Sequence, residues 1–222
     1  MTQQRQAALM LPRRGLLALL PLGGCAGQGV TRTGFLGDYE ALAPTAANTR
    51  DLIFVDPAYR PGEYTHFVLD PIVWRPIEGA PARGDSEIAE LRDALRRSLA
   101  TALGRSRMAA DEAAPAPGVL RIRAAITNTR RANWWINVPV QAAGIGLAVM
   151  GMPGGIPPPN PGGASVEIEA VDAASGSRLV AVVTYANGVP WAPTGYVTRF
   201  GHARRAFDLA ADLLQEQLSR QG

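Results

Sequence analysis

The chain contains no lysine; all of its basic residues are arginine, and it holds a single cysteine, two histidines and few aromatic residues in 222 positions. Arginine-only usage reads as base composition of the gene rather than as a specialised surface. A lone cysteine excludes an internal disulfide and any multi-cysteine metal knuckle. The histidines, His66 and His202, fall at the expected start of a strand and of a helix, read as surface positions without metal-ligand spacing. No Gly-x-Ser-x-Gly elbow is present. The run Gly151-Met152-Pro153-Gly154-Gly155 lacks the Lys-Ser/Thr of a P-loop and does not open a helix. Asp38, Glu40, Asp56 and Asp70 are carboxylates, but spacing along a chain does not pair them as glycoside hydrolysis requires. The expectation is therefore a protein that is not an enzyme, with no catalytic residues, metal or cofactor.

What is present begins at the N-terminus. Arg13-Arg14 precede a short apolar stretch, Gly15 to Gly24, that ends Leu22-Gly23-Gly24-Cys25. A positive region, an apolar core and small residues before a cleavage point form a bacterial export signal. Its apolar part is about half of the ~20 residues that span a bilayer, so it is not a retained membrane helix. Leu-Gly-Gly-Cys resembles the lipobox of bacterial lipoproteins, in which the Cys25 thiol takes a diacylglycerol and becomes the new N-terminus. Ala26, where an Asp would retain such a protein at the inner membrane, favours sorting to the outer membrane. Arg13-Arg14 is compatible with either the twin-arginine or the general secretion route. The formal charge is +3, but residues 1–24 carry Arg5, Arg13 and Arg14 and no acid, so the remainder is near neutral. Nucleic acid is not an expected partner.

Residues 1–24 are thus read as signal peptide, 25–33 as lipidated N-terminus and linker, and 34–222 as one periplasm-facing domain. Eight extended linker residues reach at most roughly 29 Å, which keeps the domain near the membrane. Leu52 to Val55 is a possible short strand. His66 to Arg75 is a strand with Val68, Asp70, Ile72 and Trp74 on one face; Pro71 places it at an edge or marks a bulge. A helix begins at Asp85 or Ser86, either of which caps it, carries a Leu91, Leu95, Leu99 and Leu103 stripe, and stops at Gly104. Strands follow at Leu120 to Thr127, Ser165 to Val171 and Arg178 to Asn187, with Glu167 and Glu169 expected on a solvated face opposite Arg121 and Arg123. A last helix spans Thr198 to Arg220, with Phe207, Leu214 and Leu218 on its core stripe. The expected fold is α+β: a mostly antiparallel four- or five-stranded sheet with two helices on one face, in the order strand, helix, three strands, helix.

Two features carry alternative readings. Trp134 to Met152 is uncharged and rich in small residues, with Trp134, Trp135, Ile136, Ile145, Leu147 and Met150 as candidate contacts. It is read as packing against the sheet or helices, as a membrane-touching or oligomer-forming insertion, or as a pocket lid. Asp70 is read as an acceptor for backbone N–H groups where Pro71 interrupts the ladder, against a functional acid in a pocket.

Gly34-Phe35-Leu36-Gly37-Asp38-Tyr39, then Phe67 to Trp74 with its Asp70-Pro71 pair, together resemble an uncharacterised family of bacterial lipoproteins, domain of unknown function 3313. Glu40 departs from that pattern, where a Ser often follows the Tyr. The resemblance implies a location and a fold, with Gly34, Phe35, Leu36, Asp38, Tyr39, Asp70, Pro71 and Trp74 as motif positions, and no reaction. The functional expectation is a lipid-anchored outer-membrane accessory or binding module, its acyl chains on Cys25 in the membrane and its partner an envelope protein or a second copy. The alternatives are a self-assembling, pore-type subunit using residues 134–152 and a carrier of lipid or another apolar ligand.

Overall fold

A 12-residue strand at Val119–Arg130 organises the molecule. Leu120, Ile122, Ala124 and Ile126 point to one side of it and are buried, while Arg121 and Arg123 point to the other. The computed structural model describes residues 31–46, 50–110, 116–130, 162–187 and 200–220. In chain order the strands are β1 (Ala43–Pro44), β2 (Leu52–Val55), β3 (His66–Leu69), β4 (Val73–Trp74), β5 (Met108–Ala109), β6 (Val119–Arg130), β7 (Gly163–Asp172) and β8 (Arg178–Asn187). The helices are α1 (Asp85–Leu103) and α2 (Gly201–Ser219), and a short 3-10 turn covers Pro61–Glu63.

The expected four- or five-stranded antiparallel sheet does not hold. The eight strands form one mixed sheet in the order β1-β2-β8-β7-β6-β3-β5, with β4 also on β6. The β6–β7, β7–β8 and β2–β8 pairs are antiparallel, whereas β3 and β4 pair with β6, and β5 with β3, in parallel. The reason lies in the connection. A strand leaving through a 19-residue helix returns beside its start running the same way, because only a long crossover joins parallel neighbours.

The region read as one strand from His66 to Arg75 is two. Leu69 pairs with Ile122 and Val73 with Ala125, so four steps on one chain oppose three on the other. That extra residue is a bulge at Asp70-Pro71, and it changes which residues face inward. Phe67 and Leu69 are buried before it, and Ile72 after it. The expected shared face of Val68, Asp70, Ile72 and Trp74 is therefore broken at Pro71.

Both helices cover one side of the sheet. The Leu91, Leu95, Leu99 and Leu103 stripe of α1 and Phe207, Leu214 and Leu218 of α2 close on the inward residues of β6, β7 and β8 in one core. Gly84, not Asp85 or Ser86, occupies the N-cap of α1, and no side chain caps it. The buried Arg107 closes the C-terminal end of α2: its guanidinium donates to the Leu218 carbonyl at 2.7 Å, to Tyr59 Oη at 3.2 Å and to Gln215 Oε1 at 3.1 Å. A helix C-terminus favours a cation at its unpaired carbonyls.

Candidate functional site

The second side of the sheet is covered as well, by chain from the N-terminus. Residues 31–42 run as a strap across β6, β7 and β8, and their Leu36 and Leu42 form a separate core with Leu52, Ala181 and Val183. Thr31 Oγ1 lies 2.8 Å from Thr127 Oγ1, so the strap begins inside the stretch read as linker. Gly34 and Gly37 both have a φ of 76°, a conformation open to glycine that turns the strap over Phe35 and Leu36.

Under the strap lie two carboxylates. Glu167 is 0% and Glu169 3% exposed, which overturns the expectation of a solvated face. Glu167 Oε1 accepts from the Thr33 backbone N–H at 2.9 Å, and Oε2 accepts from the Tyr39 hydroxyl at 2.5 Å. Glu169 Oε1 meets the Arg123 guanidinium at 2.8 Å and Oε2 meets that of Arg178 at 2.9 Å. Arg178 also donates to the carbonyls of Leu36 and, at 3.0 Å, of Asp38. Arg123 stacks 5.8 Å from the Phe35 ring centroid. Burial, and after it the hydrogen bond to Glu167, hold the Tyr39 phenol above its ordinary range.

This arrangement gives the motif a physical meaning. Phe35, Leu36 and Tyr39 seal apolar surface, Tyr39 neutralises the desolvation of Glu167, and the strap's own carbonyls bind the arginine that balances Glu169. Each of the four carboxylate oxygens has a donor, so these groups act as structural acceptors here. Glu167, Glu169, Arg123 and Arg178 were not identified from sequence as site residues. That the Arg121/Arg123 strand neighbours the Glu167/Glu169 strand was legible, its register with Arg123 opposite Glu169 and Arg121 opposite Val171 was not, and nothing in an alternating strand tells a solvated glutamate from one covered by a distant segment.

The other motif positions sit across the sheet edge. Asp70 accepts from Arg121 Nε on both oxygens, at 2.9 and 3.0 Å, so its carboxylate holds a guanidinium where it was expected to accept from backbone N–H groups. Trp74 packs half-buried against the main core, and Pro71 is exposed at the bulge. His202, expected at the surface, is buried, and burial together with Arg205 lowers its ring's proton affinity. No three His, Cys, Asp or Glu side chains converge as a metal site among the described residues. Cys25, Ala26, Trp134, Trp135, Ile136, Ile145, Leu147 and Met150 lie outside the described residues.

On the helix side, a groove of about 520 Å³ between α1 and α2 is lined by Arg97, Ser98, Arg105, Asp208 and Asp212. Ser98 bonds Asp208 at 2.6 Å and Arg105 bonds Asp212 at 2.7 Å across it.

No curated protein matches the chain. The solved structures that resemble it include the PelC dodecamer from Paraburkholderia phytofirmans and a point variant of it. They share 9% and 10% identity, each with a TM-score of 0.43, and the alignments cover 78% of this chain and 98% of theirs. A family described as "Protein of unknown function (DUF3313)" matches residues 31–214, from the first residue of the strap almost to the end of α2, and the chain belongs to that family.

Proposed function

We propose that this protein is a non-enzymatic, lipid-anchored protein of the outer membrane, facing the periplasm, that serves as an envelope accessory or binding module. One observation supports the reading most. Thr31, the root of the strap, lies against Thr127 near the end of β6, and the register there joins Arg130 to Gly163 and Gly163 to Asn187. Thr31, to which a tether from Cys25 would lead, and both flanks of residues 131–161 therefore lie toward one end of the sheet. An acylated Cys25 would hold that end at the bilayer, and several acyl chains anchor stably where one does not. The α1–α2 groove, with its exposed polar pairs, then offers a surface for an envelope partner.

The same convergence favours a second reading, in which residues 134–152 enter the membrane in a self-assembling subunit. Flotation of the processed protein with vesicles tests both. Loss of flotation on Cys25→Ser supports the tethered module, and unchanged partitioning excludes Cys25 as the sole anchor. Detergent dependence that survives Cys25→Ser and vanishes when residues 136–152 become a short Gly/Ser loop supports the inserted subunit.

A further inference from the structure

The end of the sheet at which the tether is rooted gathers guanidinium groups from four separate stretches of chain. Arg32 belongs to the strap, with its guanidinium 6.0 Å from the Tyr39 ring centroid. Arg75 follows β4, and its Nε donates to the Thr33 carbonyl at 3.0 Å. Arg83, just before α1, donates to Thr129 Oγ1 at 3.1 Å and to the Thr129 carbonyl at 2.7 Å. Arg130 ends β6 and lies 5.3 Å from the Tyr185 ring centroid. Arg75, Arg83 and Arg130 are thus placed by contacts to the first residues of the strap or to the last residues of β6 and β8, and Arg32 adjoins Thr31 in the chain with its guanidinium over the Tyr39 ring. Arg32 and Arg75 are exposed, Arg83 and Arg130 half-buried. Among the described residues no ion pair joins Arg32 or Arg75 to a carboxylate, although Asp38 lies six residues from Arg32 and Glu78 three from Arg75 along the chain.

Geometry says what such a face meets. From Cys25 to Thr31 the chain reaches at most about 21 Å when fully extended. An anchored Cys25 keeps this end within contact of the headgroups, where arginine attracts phosphate and the attraction fades over a Debye length. We propose that Arg32, Arg75, Arg83 and Arg130 form a docking face for the phosphate groups of anionic phospholipids, which holds the protein in one orientation with the end of β6 toward the bilayer. This rests on the lipid-anchor reading above.

The test uses the full lipidated protein in vesicles of phosphatidylethanolamine with phosphatidylglycerol, and in vesicles of phosphatidylcholine alone. A fluorophore is placed on a cysteine introduced by Ala82→Cys, beside Arg83, or by Ala174→Cys in the turn at the far end of the sheet. Nitroxide-headgroup lipid reports proximity. The expected result is quenching at position 82 about threefold stronger in anionic than in neutral vesicles, erased by roughly 0.5 M salt, with little at position 174. Arg32→Glu with Arg75→Glu should abolish the difference; the salt arm decides the matter should that variant misfold. Equal quenching at 82 in both vesicle types, or at both positions in one, by protein that floats overturns the docking face and leaves the anchor standing. Wild-type protein that floats with neither vesicle overturns the anchor, and the proposal with it.

Discussion

At the scale of single residues, the Tyr39–Glu167 hydrogen bond carries the clearest consequence. Glu167 is wholly buried, and Tyr39 supplies one of its two donors. Tyr39→Phe leaves a buried carboxylate oxygen without a partner, and a hydrogen bond to a charged group is worth about 1.5–3 kcal/mol. Urea denaturation should show a loss of that size, whereas Asp38→Asn, at an exposed residue of the same motif, should cost under about 0.5 kcal/mol. Tyr64 gives a pH signature. Burial, and then its hydrogen bond to Asp172, push its phenol up to about 12 from an ordinary 10.0. A proton held more tightly in the folded state stabilises fully below the unfolded value and is lost as pH rises through the folded one. Stability should therefore fall between pH 10 and about 12, and the fall in that window should shrink in Tyr64→Phe. The residue types of the strap motif were legible in sequence; their partner carboxylates were not, because a hydrogen bond across 128 positions leaves no local pattern.

Among elements, the break between β3 and β4 illustrates how one residue resets a pattern. Proline at an edge announced a bulge or edge, and the structure has the bulge, but alternation carried through it assigned Val68 and Asp70 to the wrong partners. Deleting Pro71 removes the extra residue and leaves Leu69, Ile72 and Trp74 on the core side in continuous register with β6. Such a deletion should fold and cost about 1 kcal/mol or less by denaturation, unlike an ordinary deletion within a strand. Turns separate in the same way. Gly118 has a φ of 77°, and a Cβ there would meet the Glu63 carbonyl oxygen at 3.0 Å, whereas one at Gly37, with a similar φ, would meet nothing within 4 Å. Both alanine variants incur the left-handed backbone cost of about 1–2 kcal/mol, and Gly118→Ala should exceed Gly37→Ala in urea melts. The two helices and the β6–β7–β8 strands followed from periodicity, although their ends shifted by a few residues and β7, buried on both faces, has no solvated side. The short β1 and β5 carry no such stripe, and the parallel pairing depended on reading strand, helix, strand as a single crossover unit.

For the whole molecule, the strap makes residues 31–42 part of the fold. Leu36 and Leu42 are buried on the side of the sheet away from the helices, and burying such a side chain contributes about 1.5–3 kcal/mol. A protein begun at residue 31 should keep the stability of the longer chain, while one begun at residue 43 should lose about 3–6 kcal/mol from those two leucines alone, read by circular dichroism in urea. The residues that the strap grips come late: Thr33 bonds 134 positions ahead and Arg178 reaches back 142 to Leu36. A chain delivered N-terminus first thus holds its leading end idle until its last third arrives, because contacts of such long sequence separation form slowly. Under the export reading proposed above, that delay would keep the emerging polypeptide threadable and set closure of the sheet after release.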